Sequence, residues 1–156
     1  MRRAMSKKSK AALIIISAVV ILGVVFCVSI PVVNDLHAKK VADELSALPL
    51  PEDTRIAEKT SAAGKLWGNG NGIQYMGAIL IESGLTPEEL EEFYYEGGIE
   101  YCRVSRQTGK EITVTEHGKY SFNTEISSDD FYIVYALGKH DSFIIQLFSE
   151  LDLRGH

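Results

Sequence analysis

The run Ala11-Ala-Leu-Ile-Ile-Ile-Ser-Ala-Val-Val-Ile-Leu-Gly-Val-Val-Phe-Cys-Val-Ser-Ile30 decides the plan of this chain. No residue from Ala11 to Asn34 is charged. At about 1.5 Å rise per residue, a helix over Ala11–Ile30 reaches roughly 30 Å, the hydrocarbon thickness of a bilayer. Hydrocarbon offers no partners to backbone N–H and C=O groups, so a single span of this kind must be helical. The expectation is a transmembrane helix over 11–33 embedded in a lipid bilayer, with Pro31 marking its exit.

The rival reading is a cleaved secretory signal, whose apolar region runs about 7–15 residues before a small-x-small site. This run is longer, and its nearest candidate site pairs Ser29 with the bulkier Cys27. Lipidation at Cys27 is disfavoured by Phe26, which stands where a small residue belongs. An anchor is therefore the expectation, with Cys27 packing as a small hydrophobe.

Outward from the span, charge is unevenly distributed. Arg2, Arg3, Lys7, Lys8 and Lys10 precede any acid, and all 21 Asp and Glu lie from Asp35 onward. Removing those five from the 16 bases leaves eleven against 21 acids, a net −10 for residues 35–156. Bases flanking a span stay in the cytoplasm, which makes 1–10 a basic cytoplasmic tail and places the rest outside the cell membrane. A body this acidic is a poor partner for nucleic acid, whose binding depends on positive surface.

Residues 34–53 read as a juxtamembrane stalk helix and linker. Val41, Leu45 and Leu48 fall on one helical stripe, Asn34 caps it, and Pro49 and Pro51 end it. Residues 54–156 read as an extracytoplasmic domain. Thr54–Trp67 and Gly72–Ser83 look like paired strands, the second apolar on both faces as a central strand is, the first nearer an edge. The sharpest local signal follows Gly84. Thr86 as cap, Pro87 at the first helical position, Glu89 three residues past the cap and Leu85 with Leu90 as staple define a helix start.

Ile99–Gln107, Glu111–His117 and Lys119–Ile126 alternate as an antiparallel meander would. If Val104 faces Val114, then Cys102, Val104, Ile112 and Val114 share one face, and Arg103, Ser105, Thr113 and Thr115 the other. Phe131–Leu137 is the most strand-like segment. Phe143–Phe148 fits either periodicity, and the turn signal in Gly138–Ser142 favours a strand paired with Phe131–Leu137. The fold class expected is α+β, with a single N-terminal transmembrane helix, an antiparallel sheet and one well-capped helix.

Chemistry is sparse. The loop Gly68-Asn-Gly-Asn-Gly72 lacks the helix that must follow a phosphate-binding loop, and it reads as a hairpin turn. Trp67, Asn69 and Asn71 are its candidate ligand-contact residues. The four histidines, His37, His117, His140 and His156, have no metal-ligand spacing, so neither metal nor cofactor is expected. Cys102 is the one thiol beyond the span and reads as a buried, inert one. The acids Glu88, Glu89, Glu91, Glu92 and Glu96 belong to a helix start and its solvated faces.

In the tail, Asp152, Arg154 and His156 alternate along an extended chain and would need pinning in a cleft to act in acid–base chemistry. The leading expectation is a membrane-anchored envelope module binding another envelope protein or a small ligand. Its alternatives are a membrane-surface enzyme using Asp152, His156, His117 and Cys102, and a membrane sensor working through a separate cytoplasmic partner.

Overall fold

The structure, a computed structural model, describes residues 7–99, 102–112 and 114–156. Expectations that fall on residues 1–6, Glu100, Tyr101 and Thr113 lie outside it. The order is α1 (Lys7–Ser46), β1 (Thr54–Gly64), β2 (Gln74–Ser83), α2 (Pro87–Glu96), β3 (Cys102–Arg106), β4 (Glu111–Ile112), β5 (Tyr120–Ser121), β6 (Phe131–Leu137), α3 (Phe143–Leu151) and a 3₁₀ turn, Leu153–Gly155. The fold is α+β, with three helices and a four-stranded antiparallel sheet ordered β1-β2-β6-β3.

One helix replaces the expected span and separate stalk. Proline removes a backbone donor and crowds the preceding turn, yet α1 runs through Pro31 for 40 residues, about 60 Å at 1.5 Å per residue. Its two ends are environments apart. From Leu13 to Val28 the large apolar side chains are 48–68% exposed, on every side of the helix. From Ile30 a single stripe of Asn34, Ala38, Ala42 and Leu45 is buried, at helical spacing. The packed unit therefore takes in the end of α1 as well as residues 54–156.

Small residues bring that end onto the sheet. A Cβ on Gly77 of β2 would stand 2.3 Å from the Ala42 backbone nitrogen, and one on Gly138 would stand 2.6 Å from Val41 Cγ2. With hydrogen there instead, α1 lies against the strand backbone. Leu45 joins Ile79, Ile81, Leu90, Tyr94, Tyr132 and Val134 in the core on this face, beside α2. The opposite face buries Ala78, Leu80, Phe131 and Ile133 under Ile112 and Phe122 of the β4–β5 lobe. β2 alternates between the two layers, which is why its apolar residues fall on both faces. The Glu58 carboxylate of β1 fastens the lobe, accepting bonds from the Asn123 and Thr124 amides at 2.8 and 2.7 Å.

α2 starts as its sequence predicts, with Glu89 N donating to Thr86 Oγ1 at 3.3 Å and Thr86 N to Glu89 Oε2 at 2.8 Å. β1 is an edge strand and β2 an inner one, also as predicted.

Three other expectations are corrected. Phe143–Leu151 is a helix, because β6 is already flanked by β2 and β3 and has no free edge for another strand. Ser142 caps it, accepting from Ile145 N at 3.2 Å. The meander forms only in its second half. β3 pairs with β6, Val104 opposite Val134 rather than Val114, and β4 pairs with β5 in a separate two-stranded sheet. Cys102 and Val104 consequently pack on one face of the main sheet, Ile112 and Val114 on the other. Finally, the tail is not extended but turns at Leu153–Gly155.

Candidate functional site

The three chain segments that meet at the C-terminal end of the apolar run are α1 near Pro31–Asp35, the start of β2, and the C-terminal turn. Asn34, fully buried, stands at their centre. Its Nδ2 donates to Asp152 Oδ2 at 2.8 Å and to the Phe148 carbonyl at 3.1 Å, and its Oδ1 accepts from the Tyr75 hydroxyl at 2.8 Å. Arg154 closes the network. It donates to Asp152 Oδ2 at 2.7 Å and Oδ1 at 3.0 Å, to Asp35 Oδ1 at 2.7 Å and to the Pro31 carbonyl at 3.2 Å.

Electrostatics follow from this geometry. Burial alone would raise the Asp152 carboxyl, but Arg154 and Asn34 outweigh it and hold the group at about 2. Asp152 and Asp35 in turn hold the Arg154 guanidinium above its ordinary range. Burial, with Asp152 nearby, pushes the Tyr75 hydroxyl up to about 12. Every group here is charge-matched or hydrogen-bonded, which makes the cluster a fastening rather than a reaction centre.

The predicted acid–base and nucleophile candidates are not brought together. Asp152 is pinned and nearly fully buried, its oxygens taken by Arg154 and Asn34. His156 turns away, with Nε2 3.0 Å from the Glu150 carbonyl. His117 sits beside the glycine loop, Nε2 2.9 Å from the Gly68 carbonyl. Cys102 lies on β3, and burial beside Glu91 pushes its thiol up to about 12, which keeps it protonated and unreactive. No hydrogen bond or ion pair links any two of these four among the described residues.

The ligand-contact candidates fare differently. Trp67 is half-buried, its Nε1 donating to the Val114 carbonyl at 3.0 Å and its ring stacked on Tyr135 at 6.2 Å. Gly68 and Gly72 hold positive φ of 69° and 105°, the conformation glycine admits at least cost. Between this loop and α3 lies an open cleft of about 540 Å³ lined by Trp67, Asn71, Gln74, His140, Gln146 and Glu150, among others. Asn69 is not among its walls. Two of its lining side chains are engaged, Gln74 Oε1 by the Leu66 and Trp67 amides and His140 Nε2 by the Ile73 carbonyl. Asn71, Gln146 and Glu150 are exposed and have no side-chain hydrogen bond among the described residues.

A second opening, also about 540 Å³, runs between α1 and Gly97–Ile99, with His37, Lys40, Glu44 and Asp141 on its rim. Lys40 lies 3.6 Å from Glu44 and 3.9 Å from Asp141, so its charges are internally balanced. Sequence reasoning missed Asn34, Tyr75, His140 and α3 as neighbours. Asn34 was legible only as a helix cap, and its partners lie more than a hundred residues away in Phe148 and Asp152. Among the described residues no cluster of three or more His, Cys, Asp or Glu is arranged to hold a metal ion. Comparison with family models, curated proteins and solved structures finds no match for this chain.

Proposed function

We propose that the chain is a single-pass membrane protein whose α1 crosses the cell membrane over 11–33, N-terminus cytoplasmic, and presents residues 34–156 outside as a binding module. One observation carries the reading. From Ala11 to Val25 α1 is apolar on all sides and exposed among the described residues, while its continuation is locked into the domain core. A helix apolar all round requires an apolar surrounding, and lipid supplies it.

A secretory signal can also place one long apolar helix near the N-terminus. The contacts of Phe26 with Phe148 and of the Pro31 carbonyl with Arg154 favour retention, since cleavage before Pro31 would strip Phe148 of its ring partner. The cleft beside the Trp67 loop is the preferred ligand surface. Its amide and carboxylate groups suit a polar ligand or a loop of another envelope protein.

The test is fractionation of cells expressing the full chain, with protease added to intact spheroplasts. Retention in carbonate-washed membranes and digestion of the domain from outside are expected. A chain beginning after residue 26 and recovered free of membrane would overturn the anchor. In vivo crosslinking from positions 71 and 146 should capture a partner that crosslinkers on the β1 edge do not.

A further inference from the structure

α3 carries an apolar face that is largely exposed among the described residues. Phe143 is 78% exposed, Ile144 59% and Leu151 44%, and Leu153 just beyond the helix is 86% exposed. At 100° per residue, Phe143, Leu147, Leu151, Ile144 and Phe148 form one continuous arc. Ile145 and Ser149, on the reverse side, face the protein, Ile145 beside Tyr75 and Ala38. Glu150 is the only charge within Phe143–Leu151.

The position of this face on α1 decides what covers it. The Phe148 ring meets the Phe26 ring edge-on at 5.8 Å. Phe26 lies eight residues before the end of the uncharged run at Asn34, about 12 Å along the helix axis. The Phe148 end of α3 is therefore level with the end of the apolar run, while its first turn stands beside Ala38, and Asp141 just before it lies 3.9 Å from Lys40. Arg154, bonded to the Pro31 carbonyl and to Asp35, holds the turn bearing Leu153 at the same height. The one acid in that turn, Asp152, is buried and paired, so it sets no charge against hydrocarbon.

We propose that α3 is an interfacial helix: it slopes through the outer leaflet's headgroup–acyl boundary beside the span, with Leu151 and Leu153 inserted among lipid chains and Phe143 and Ile144 at the level of the headgroups. The occupant of the face is lipid, because the face is continuous, through Phe148 and Phe26, with the surface that lipid covers on α1. Short apolar arcs of this kind bury in the boundary region without crossing it. The second contact fixes the orientation of the domain on the membrane and places the Gln146 and Glu150 side of α3, with the Trp67 cleft, just above the headgroups.

This inference rests on the anchor reading, and the experiment separates the two. The full chain, carrying Cys27→Ser and Cys102→Ser, is labelled with an environment-sensitive fluorophore at Leu22→Cys, Phe143→Cys, Leu153→Cys or Glu88→Cys. Each is reconstituted in phosphatidylcholine vesicles with or without doxyl-labelled acyl chains. Labels at 22 and 153 should be blue-shifted and lose most of their emission to the doxyl lipid, the label at 143 should be quenched to a smaller extent, and the label at 88 should not be quenched. Quenching at 22 without quenching at 143 and 153 would overturn the interfacial helix and leave the anchor standing. Blue-shifted but unquenched labels at 143 and 153 would mean that protein, such as a second copy, covers the face, and would equally overturn it. No quenching at 22 would remove the anchor and the inference together.

Discussion

The two halves of α1 are stabilised in opposite ways. Along Ala11–Val28 bulky Ile, Leu, Val and Phe point in all directions, and only solvent of matching character satisfies them. Along Ile30–Leu45 the buried residues form one stripe, and two of the four after Ile30 are alanine. The first half needs bulk and no particular neighbour. The second needs smallness, because close approach of two backbones is what brings the helix to the sheet.

The largest expected effect comes from destroying that approach. Gly77→Val should cost about 3 kcal/mol or more, since any Cβ there meets the α1 backbone and overpacked cores rarely relax fully. Gly23→Val, in the first half, meets nothing within 4 Å and should leave domain stability unchanged. Denaturation in detergent followed by Trp67, the single tryptophan, compares the two. If both are silent, the helix end is not docked. The reciprocal substitution is Leu22→Arg, expected to cost about 3 kcal/mol in membrane insertion at the middle of a span, with no change in the domain's unfolding midpoint.

The junction between the halves is the next place to press. Asn34→Leu leaves the Tyr75 hydroxyl and one Asp152 oxygen short of a partner and should cost roughly 2–3 kcal/mol. A smaller effect is expected from pH. The Asp152 carboxyl is held at about 2 in the folded protein against an ordinary 3.8, so the unfolded chain takes up its proton first as pH falls. That increment, about 2 kcal/mol, is fully present above roughly pH 4 and is lost as pH drops through 2. Asp152→Asn should flatten stability across that window, as measured by urea midpoints at successive pH values. An unchanged slope would mean the pair is not formed.

This contrast also separates what the sequence discloses from what it hides. The apolar run, the capped start of α2 and the β6 strand are local: periodicity and caps within a dozen residues define them, and they were legible. The junction was not, because Asn34, Tyr75 and Asp152 are linked only by the tertiary fold. α3 was misread for a related reason. Its residues satisfy strand and helix periodicity alike, and the deciding fact, that β6 already has β2 and β3 beside it, is topological. The first half of the meander failed in the same way, since Val134 competed successfully with Val114 for the partner of Val104. Of the loop candidates, Trp67 and Asn71 line a cleft because the unforeseen α3 forms its other wall.

The smallest effects distinguish two tyrosines that burial treats alike. The hydroxyls of Tyr75 and Tyr94 are both pushed up to about 12, chiefly by loss of water. Tyr75 donates to Asn34 at the junction, whereas the hydroxyl of Tyr94, on the buried face of α2, has no hydrogen-bond partner among the described residues. Removing a partnered hydroxyl forfeits a net bond of about 1 kcal/mol and leaves its acceptor short, while removing an unpartnered one relieves a desolvation cost. Tyr75→Phe should therefore destabilise by about 1 kcal/mol, and Tyr94→Phe should be neutral or mildly stabilising. Equal losses in the two variants would show that Tyr94 gains a partner, and that the junction at Asn34 is no better satisfied than the rest of the core.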